Sequence, residues 1–340
     1  MIPDTSLYTT LKSVSRSFYL SMRILPIGMR ESVAIAYLLA RAADTIADTA
    51  IIKREIRLKL LYQYRSLLLT GFNGENIQEL QNLLLPQIKD ADEKKLFSAI
   101  QQIFESFYAL TSEDFSSVQK VVSTLTDGML LDLTTFTNEK QITAIYSDAD
   151  LDRYTYLVAG CVGEFWTALS LRHVHTIKHW DKNHYLLLGI EFGKALQLTN
   201  IVRDIAKDVK LNRCYIPQET LTANGLNTQH LLNKNNDNLL RPIVQSMIEH
   251  ALEYFDSAEK YLTAIPRRAI RLRLAALWPI LIGLKTLMLV SKKGNFLDPA
   301  VNIKVSRMWV YQMLFLSAIA IFSNSIIQRW IQKLTAQVRQ

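Results

Sequence analysis

LQLTNIVRDIAKD, residues 196–208, is the stretch whose reading decides the fold of this chain. On a helix, Asn200, Asp204 and Asp208 recur at i, i+4 and i+8, so one face carries an amide and two carboxylates in line. Like charges four residues apart destabilise a helix unless something neutralises them, and the sequence from Ile201 to Ile205 is largely apolar. Such a face is suited to a cation. RAADTIAD, residues 41–48, repeats the device after an apolar run from Ala36, with Asp44 and Asp48 four apart and Arg41 one turn earlier. Mg²⁺ favours carboxylates together with water and phosphate oxygens, so two such pairs facing each other across a cavity fit a metal-bound diphosphate. Arg41 and Arg203 fit equally well as phosphate contacts or as salt-bridge partners of the carboxylates.

Outward from these two stretches, composition sets the class. Only 11 glycines and 8 prolines interrupt 340 residues, which argues for long helices, and 49% hydrophobic residues allow a large core. The expected fold class is all-α. The net charge of +8 suits nucleic acid, anionic lipid or a small anionic substrate. The basic residues are dispersed, densest at Arg267, Arg268, Arg271 and Arg273, and no zinc finger, basic zipper or RNA-binding motif is present, so nucleic acid is the weaker reading. Cys161 and Cys214 build no disulfide framework, and a reducing compartment fits best. There is no G-x-G-x-x-G or Walker A pattern, hence no support for a Rossmann site or P-loop.

Apolar periodicity predicts helices over 5–22, 31–50, 53–69, 96–110, 116–135, 151–173, 185–208, 241–264 and 267–290, with a final helix after a turn at 291–299. Ala159, Gly160 and Gly163 let another backbone or a bulky ligand come close. VKLNRCYIPQE, residues 209–219, reads as a loop over the mouth of the site. His173, His175, His179 and His184 read as a polar helix end and loop, because only Asp181 lies at ligand spacing. The N-terminus lacks the charged start and apolar core of a secretion signal. No charged residue occurs between Arg307 and Arg329, with Trp309 and Tyr311 at one end and Trp330 at the other. That interval is long enough to span a bilayer, while Gln312, Ser317, Ser323, Asn324 and Ser325 lower its hydrophobicity; spanning, monotopic contact and a buried helix all remain open.

Several motifs in consistent order resemble the squalene and phytoene synthases. They are SRSF at 15–18, Y-x-x-x-R-x-x-D-T-I-A-D at 37–48, YTYLVAGCVG at 154–163, QLTNIVRDIAKD at 197–208 and RCYIP at 213–217. The resemblance implies the isoprenoid synthase fold, a single large helical bundle around a central apolar cavity, over residues 1–300, with 301–340 as a hydrophobic C-terminal helix and membrane anchor. It implies that Asp44, Asp48, Asn200, Asp204 and Asp208 hold Mg²⁺. Ser15, Ser17, Phe18, Gln197 and Arg203 would then bind substrate, with Tyr37 and Arg41 lining the same region. Tyr154 falls where the family places its proposed acid/base, and Asp132 falls in a segment like G-M-x-x-D-L, where capping or a salt bridge is an equal reading.

The implied activity is head-to-head condensation of two farnesyl diphosphates to presqualene diphosphate. NADPH reduction to squalene follows in the branch that the wording of YTYLVAGCVG favours, whereas dehydrosqualene or phytoene needs no hydride. The expected partners are prenyl diphosphates, a lipid product and a membrane reached through the C-terminal helix, on its cytoplasmic face. Intact aspartates at both faces count against a non-catalytic assembly role.

Overall fold

The computed structural model describes residues 5–15, 22, 24–49, 51–138 and 140–340, with side chains from Thr9 onward. Two compact units are evident, one made of residues 1–134 and 168–174, the other of 135–167 and 175–340.

Among its described residues the first unit is built from helices. α1 (Thr5–Ser15) precedes α2 (Ile27–Asp48), and α3 (Arg54–Thr70), α4 (Gly74–Leu84), α5 (Ala91–Ser98), α6 (Ile100–Tyr108) and α7 (Ser112–Thr135) follow. Pro26 stands at the N-cap of α2, where a missing N–H costs nothing, so α2 begins at Ile27, four residues before the expected start at 31. The core is aromatic and aliphatic: Leu38, Leu39, Tyr64, Phe97, Phe104 and Phe107 are fully buried. Tyr64 donates its hydroxyl to the Leu39 carbonyl at 2.8 Å and so fixes α3 against the acid-bearing helix. Asp114, buried on α7, accepts from Ser32 of α2 at 2.6 Å and pairs with Arg172 and with His173 at 2.9 Å. These donors outweigh burial and hold Asp114 below the ordinary carboxylate range.

In the second unit, α8 (Asp148–Thr155) leads through a wider, π-type turn (Tyr156–Gly160) into α9 (Cys161–His173), whose last residues belong to the first unit. The helix expected over 151–173 is therefore present, widened by a π-type turn at the V-A-G segment. α10 (Lys182–Lys210) packs on α12 (Asp237–Ala264), with α11 (Gln218–Ala223) between them in sequence. α13 (Ile270–Lys293), α14 (Arg307–Ala320) and α15 (Asn324–Arg339) complete the chain.

Two expectations change here. Residues 213–214 form a short strand, β2, paired in parallel with β1 (Thr143–Ala144), and Cys214, Tyr215 and Ile216 are buried. Asn212, at φ 59°, provides the left-handed residue that ends α10 and turns the chain into that strand. Within the segment expected as a loop over the mouth of the site, RCYIP is thus a largely buried strap that begins as a strand. The C-terminal stretch is two helices, not one, with the break at Ile321 to Ser323 and Ser323 capping α15. At 14 residues, α14 is about 21 Å long, short of a 30 Å hydrocarbon core. Among the described residues α13 is the one helix long and apolar enough to cross a membrane, and 61% of its apolar window is buried inside the protein.

Candidate active site

On α2, Tyr37, Arg41, Asp44 and Asp48 follow each other at spacings of four, three and four and share one face. Arg41 pairs with Asp44 and reaches Glu93 of α5 at 2.6 Å. One guanidinium therefore serves two carboxylates, with Asp48 a further turn along. Burial, and then repulsion from Asp48, push Asp44 up to about 6 although Arg41 opposes them. The C-terminal end of α2 adds its own partial negative charge, met by Arg57, which donates to the Ala47 carbonyl at 2.5 Å. Tyr37 donates to the Val14 carbonyl at 3.2 Å, beside Ser15, whose buried hydroxyl has no partner among the described residues. Ser17 and Phe18 lie outside the described residues.

The face on α10 has the opposite electrostatics. Leu198, Ile201, Val202 and Ile205 are buried, which turns Gln197, Asn200, Asp204 and Asp208 away from the core. Asp204 accepts from Arg203 Nε at 3.0 Å and from Lys207 Nζ at 2.6 Å. Burial raises its pKa, but these two cations prevail and hold it below the ordinary value. Gln197 and Asn200 meet at 3.5 Å. Of the two roles open to Arg41 and Arg203, both side chains take the salt bridge.

Asp208 lines a cleft with Ile205, Arg213, Tyr215 and Ile216. Tyr154 stacks on Tyr215, ring centroids 4.7 Å apart, and donates its hydroxyl to the Tyr215 hydroxyl at 3.2 Å. Phe136 closes edge-on against Tyr215 at 5.2 Å. Tyr154 is thereby tied, through Tyr215, to the cleft that Asp208 borders. The small residues expected to admit a backbone or a ligand admit a backbone: a Cβ on Gly163 would collide with the Gly189 carbonyl of α10, and one on Gly193 with that of Ala159. This approach brings the π-type turn onto the acid-bearing helix. Below it, Lys194 pairs with Asp152 at 2.6 Å and Tyr254 donates to the same carboxylate at 3.0 Å.

Glu93, Lys207 and Tyr215 belong to the site and were not singled out in the sequence. Lys207 and Tyr215 lie inside recognised motifs, three residues after Asp204 and two after Arg213, whereas Glu93 comes from a helix with no motif. Among the described residues no three His, Cys, Asp or Glu side chains converge into a ready-made metal cage.

Long helices carrying two acidic faces with arginine beside each are the architecture of the isoprenoid synthases, and comparison with known proteins agrees. The chain belongs to the squalene/phytoene synthase family, whose model matches residues 11–309; its members are prenyltransferases. A presqualene diphosphate synthase of Rhodopseudomonas palustris is 31% identical over 76% of this chain and 78% of its own length. The squalene synthase of Saccharomyces cerevisiae is 25% identical over 87% of this chain and 64% of that protein. The solved structure of TcSQS with the ligand BPH1237 superposes with a TM-score of 0.78 at 21% identity, covering 98% of this chain and 92% of that one, and shares the fold.

Proposed function

We propose that this prenyltransferase joins two farnesyl diphosphates head to head to give presqualene diphosphate. The observation that carries this reading is the Asp44–Asp48 pair on one face of α2, served by a single arginine that Asp44 shares with Glu93, so that burial and repulsion from Asp48 hold Asp44 up to about 6. Mg²⁺ takes one or two carboxylates and completes its shell with water and substrate phosphate, so an under-neutralised aspartate pair fits it better than a closed cage would. Asp44 and Asp48 would hold it on one face, and Asn200, Asp204 and Asp208 on the other. Bound there, Mg²⁺ supplies Lewis-acid stabilisation of the leaving diphosphate.

The chain's own residues do the rest. Arg41, Arg203 and Lys207, which pair with aspartates, turn to phosphate oxygens and stabilise the charge that develops as the allylic C–O bond ionises. The alkene of the second prenyl chain then attacks the allylic carbon, and loss of a proton closes the cyclopropane. Tyr154 relays that proton: its oxygen accepts it while its own hydroxyl hydrogen passes to an oxygen of the departing diphosphate, so Tyr154 ends neutral, and the Tyr215 hydroxyl, 3.2 Å away, holds it in place. Phe136 and the stacked tyrosines keep water from the cation.

A second reading carries the reaction on to squalene with NADPH as hydride donor, and the likeness to the yeast enzyme, extending over 303 residues, favours it. The 31% identity to a presqualene diphosphate synthase favours stopping at the cyclopropyl diphosphate. Incubation with farnesyl or geranylgeranyl diphosphate, with and without NADPH, separates the two. Presqualene diphosphate unchanged by NADPH supports the first reading, squalene formed only with NADPH the second, and a C40 product from geranylgeranyl diphosphate overturns the C15 assignment. A cytoplasmic-face membrane location, suited to a C30 lipid product, is part of the proposal.

A further inference from the structure

α14 carries an exposed stripe that its neighbours leave uncovered. Met308, Tyr311, Phe315 and Ile319 follow at helical spacing, Phe322 continues the line just past the helix end, and Phe315 and Ile319 are 71% and 64% exposed. On the ideal 100° wheel these five fall within about 80° of one another, a single apolar stripe. The opposite face of the same helix is buried through Met313, Ser317 and Ala320. That buried side is fastened by polar bonds as well as packing. Trp278 of α13 donates to Ser317 at 2.9 Å, and the fully buried Arg273 donates to the Ile321 carbonyl at 3.0 Å and to Asn324 at 2.7 Å. Asn324 in turn donates to the Thr263 carbonyl at 3.0 Å. The stripe is therefore held facing outward by groups that would be left unsatisfied if α14 swung away.

Charge identifies the occupant. Residues 299–340 contain no Asp or Glu and five cations. Arg339 is paired with Glu249, whereas Lys304, Arg307, Arg329 and Lys333 are exposed. Trp309, Tyr311 and Trp330, amphipathic rings of the kind found at membrane interfaces, lie in the same segment. The family match ends at residue 309, so most of this segment lies beyond it.

We propose that α14 is an in-plane membrane-contact helix that sinks its Met308–Phe315–Ile319 stripe into the surface of an anionic bilayer while the flanking cations engage lipid headgroups. The break at 321–323 and the polar fastening to α13 make it a fixed foot rather than a spanning anchor. This rests on the membrane location proposed above and names the surface that provides it.

The test is co-flotation of the full chain with phosphatidylcholine vesicles containing about one third phosphatidylglycerol, against phosphatidylcholine alone, in the absence of substrate. The expected result is binding to the anionic vesicles that weakens in high salt and falls at least about tenfold in Phe315→Glu/Ile319→Glu. Both positions are exposed, so the variant should keep its helical circular dichroism and its turnover of soluble substrate. A second variant, Lys304→Gln/Arg307→Gln, should bind anionic vesicles more weakly and neutral ones as before. Absence of wild-type binding sinks both the membrane location and this face. Undiminished binding by the double-glutamate variant sinks the face alone. A wild-type dimer that this variant dissolves, with no vesicle binding, assigns the stripe to a second copy of the chain and overturns the proposal.

Discussion

Asp44→Asn should make the metal-free protein more stable at neutral pH while removing its activity. The carboxyl moves from an ordinary 3.8 to about 6 on folding, through burial first and Asp48 second. A shift of roughly two units corresponds to about 3 kcal/mol. Because the Asp44 side chain is 39% exposed, solvent screening reduces this to about 1 kcal/mol. With an unfolding entropy of about 2 cal/mol/K per residue, that gain raises the melting temperature by about 1–2 °C. The folded protein binds the Asp44 proton more tightly than the unfolded chain does. This group's contribution is therefore fully present below pH 3.8 and is lost as pH rises through about 6. The advantage of asparagine should accordingly be present at pH 7.5 in EDTA and vanish near pH 4. Differential scanning calorimetry of both proteins across this range measures it. With Mg²⁺ and diphosphate present the order should reverse, since only the parent gains ligand stabilisation. An Asp44→Asn protein less stable than the parent at pH 7.5 in EDTA refutes the reasoning.

Asp204→Asn should behave in the opposite sense. Its depressed pKa contributes stability above 3.8 that is lost as pH falls through the lower folded value, so the variant should lose about 1 kcal/mol at pH 7, and the difference should close in strong acid, as denaturant titrations would show. Tyr154→Phe should slow presqualene diphosphate formation by about 10²-fold with little change in KM, whereas Tyr215→Phe, which acts through Tyr154, should shift the pH profile and cost less. Gly163→Ala forces apart the backbones of α9 and α10 and should destabilise the fold by about 1–3 kcal/mol, measurable as a lower midpoint in urea.

Much of this protein was legible before its structure. α10 and α2 were visible because their apolar residues keep a strict helical period and their acids interrupt it at i+4; packing then had only one face to bury. The π-type turn at 156–160 was not visible, since a widened turn leaves residue types unchanged and its backbone contact with α10, Ala159 against Gly193, is tertiary. RCYIP was recognised, but its strand and its burial were not, because a two-residue strand has no period and its partner, 143–144, lies seventy residues away. Glu93 was missed for the same kind of reason: its link to Arg41 is purely tertiary. The C-terminal stretch misled through composition alone, which registers the missing charges but not the break that Ser323 caps. Nor could Arg273 be told from its basic neighbours, although it is buried on the carbonyls of Ile265 and Ile321.

The central claim is that two acidic helix faces, charged with Mg²⁺, drive head-to-head joining of prenyl diphosphates. The most direct measurement is the yield of presqualene diphosphate or a C30 hydrocarbon from labelled farnesyl diphosphate, with Mg²⁺ or with EDTA, for the parent, Asp44→Ala and Asp204→Ala. The account predicts a C30 product from the parent with Mg²⁺, none with EDTA, and a loss of about 10²-fold or more in each variant. Product that persists in EDTA, or undiminished in either variant, would contradict it.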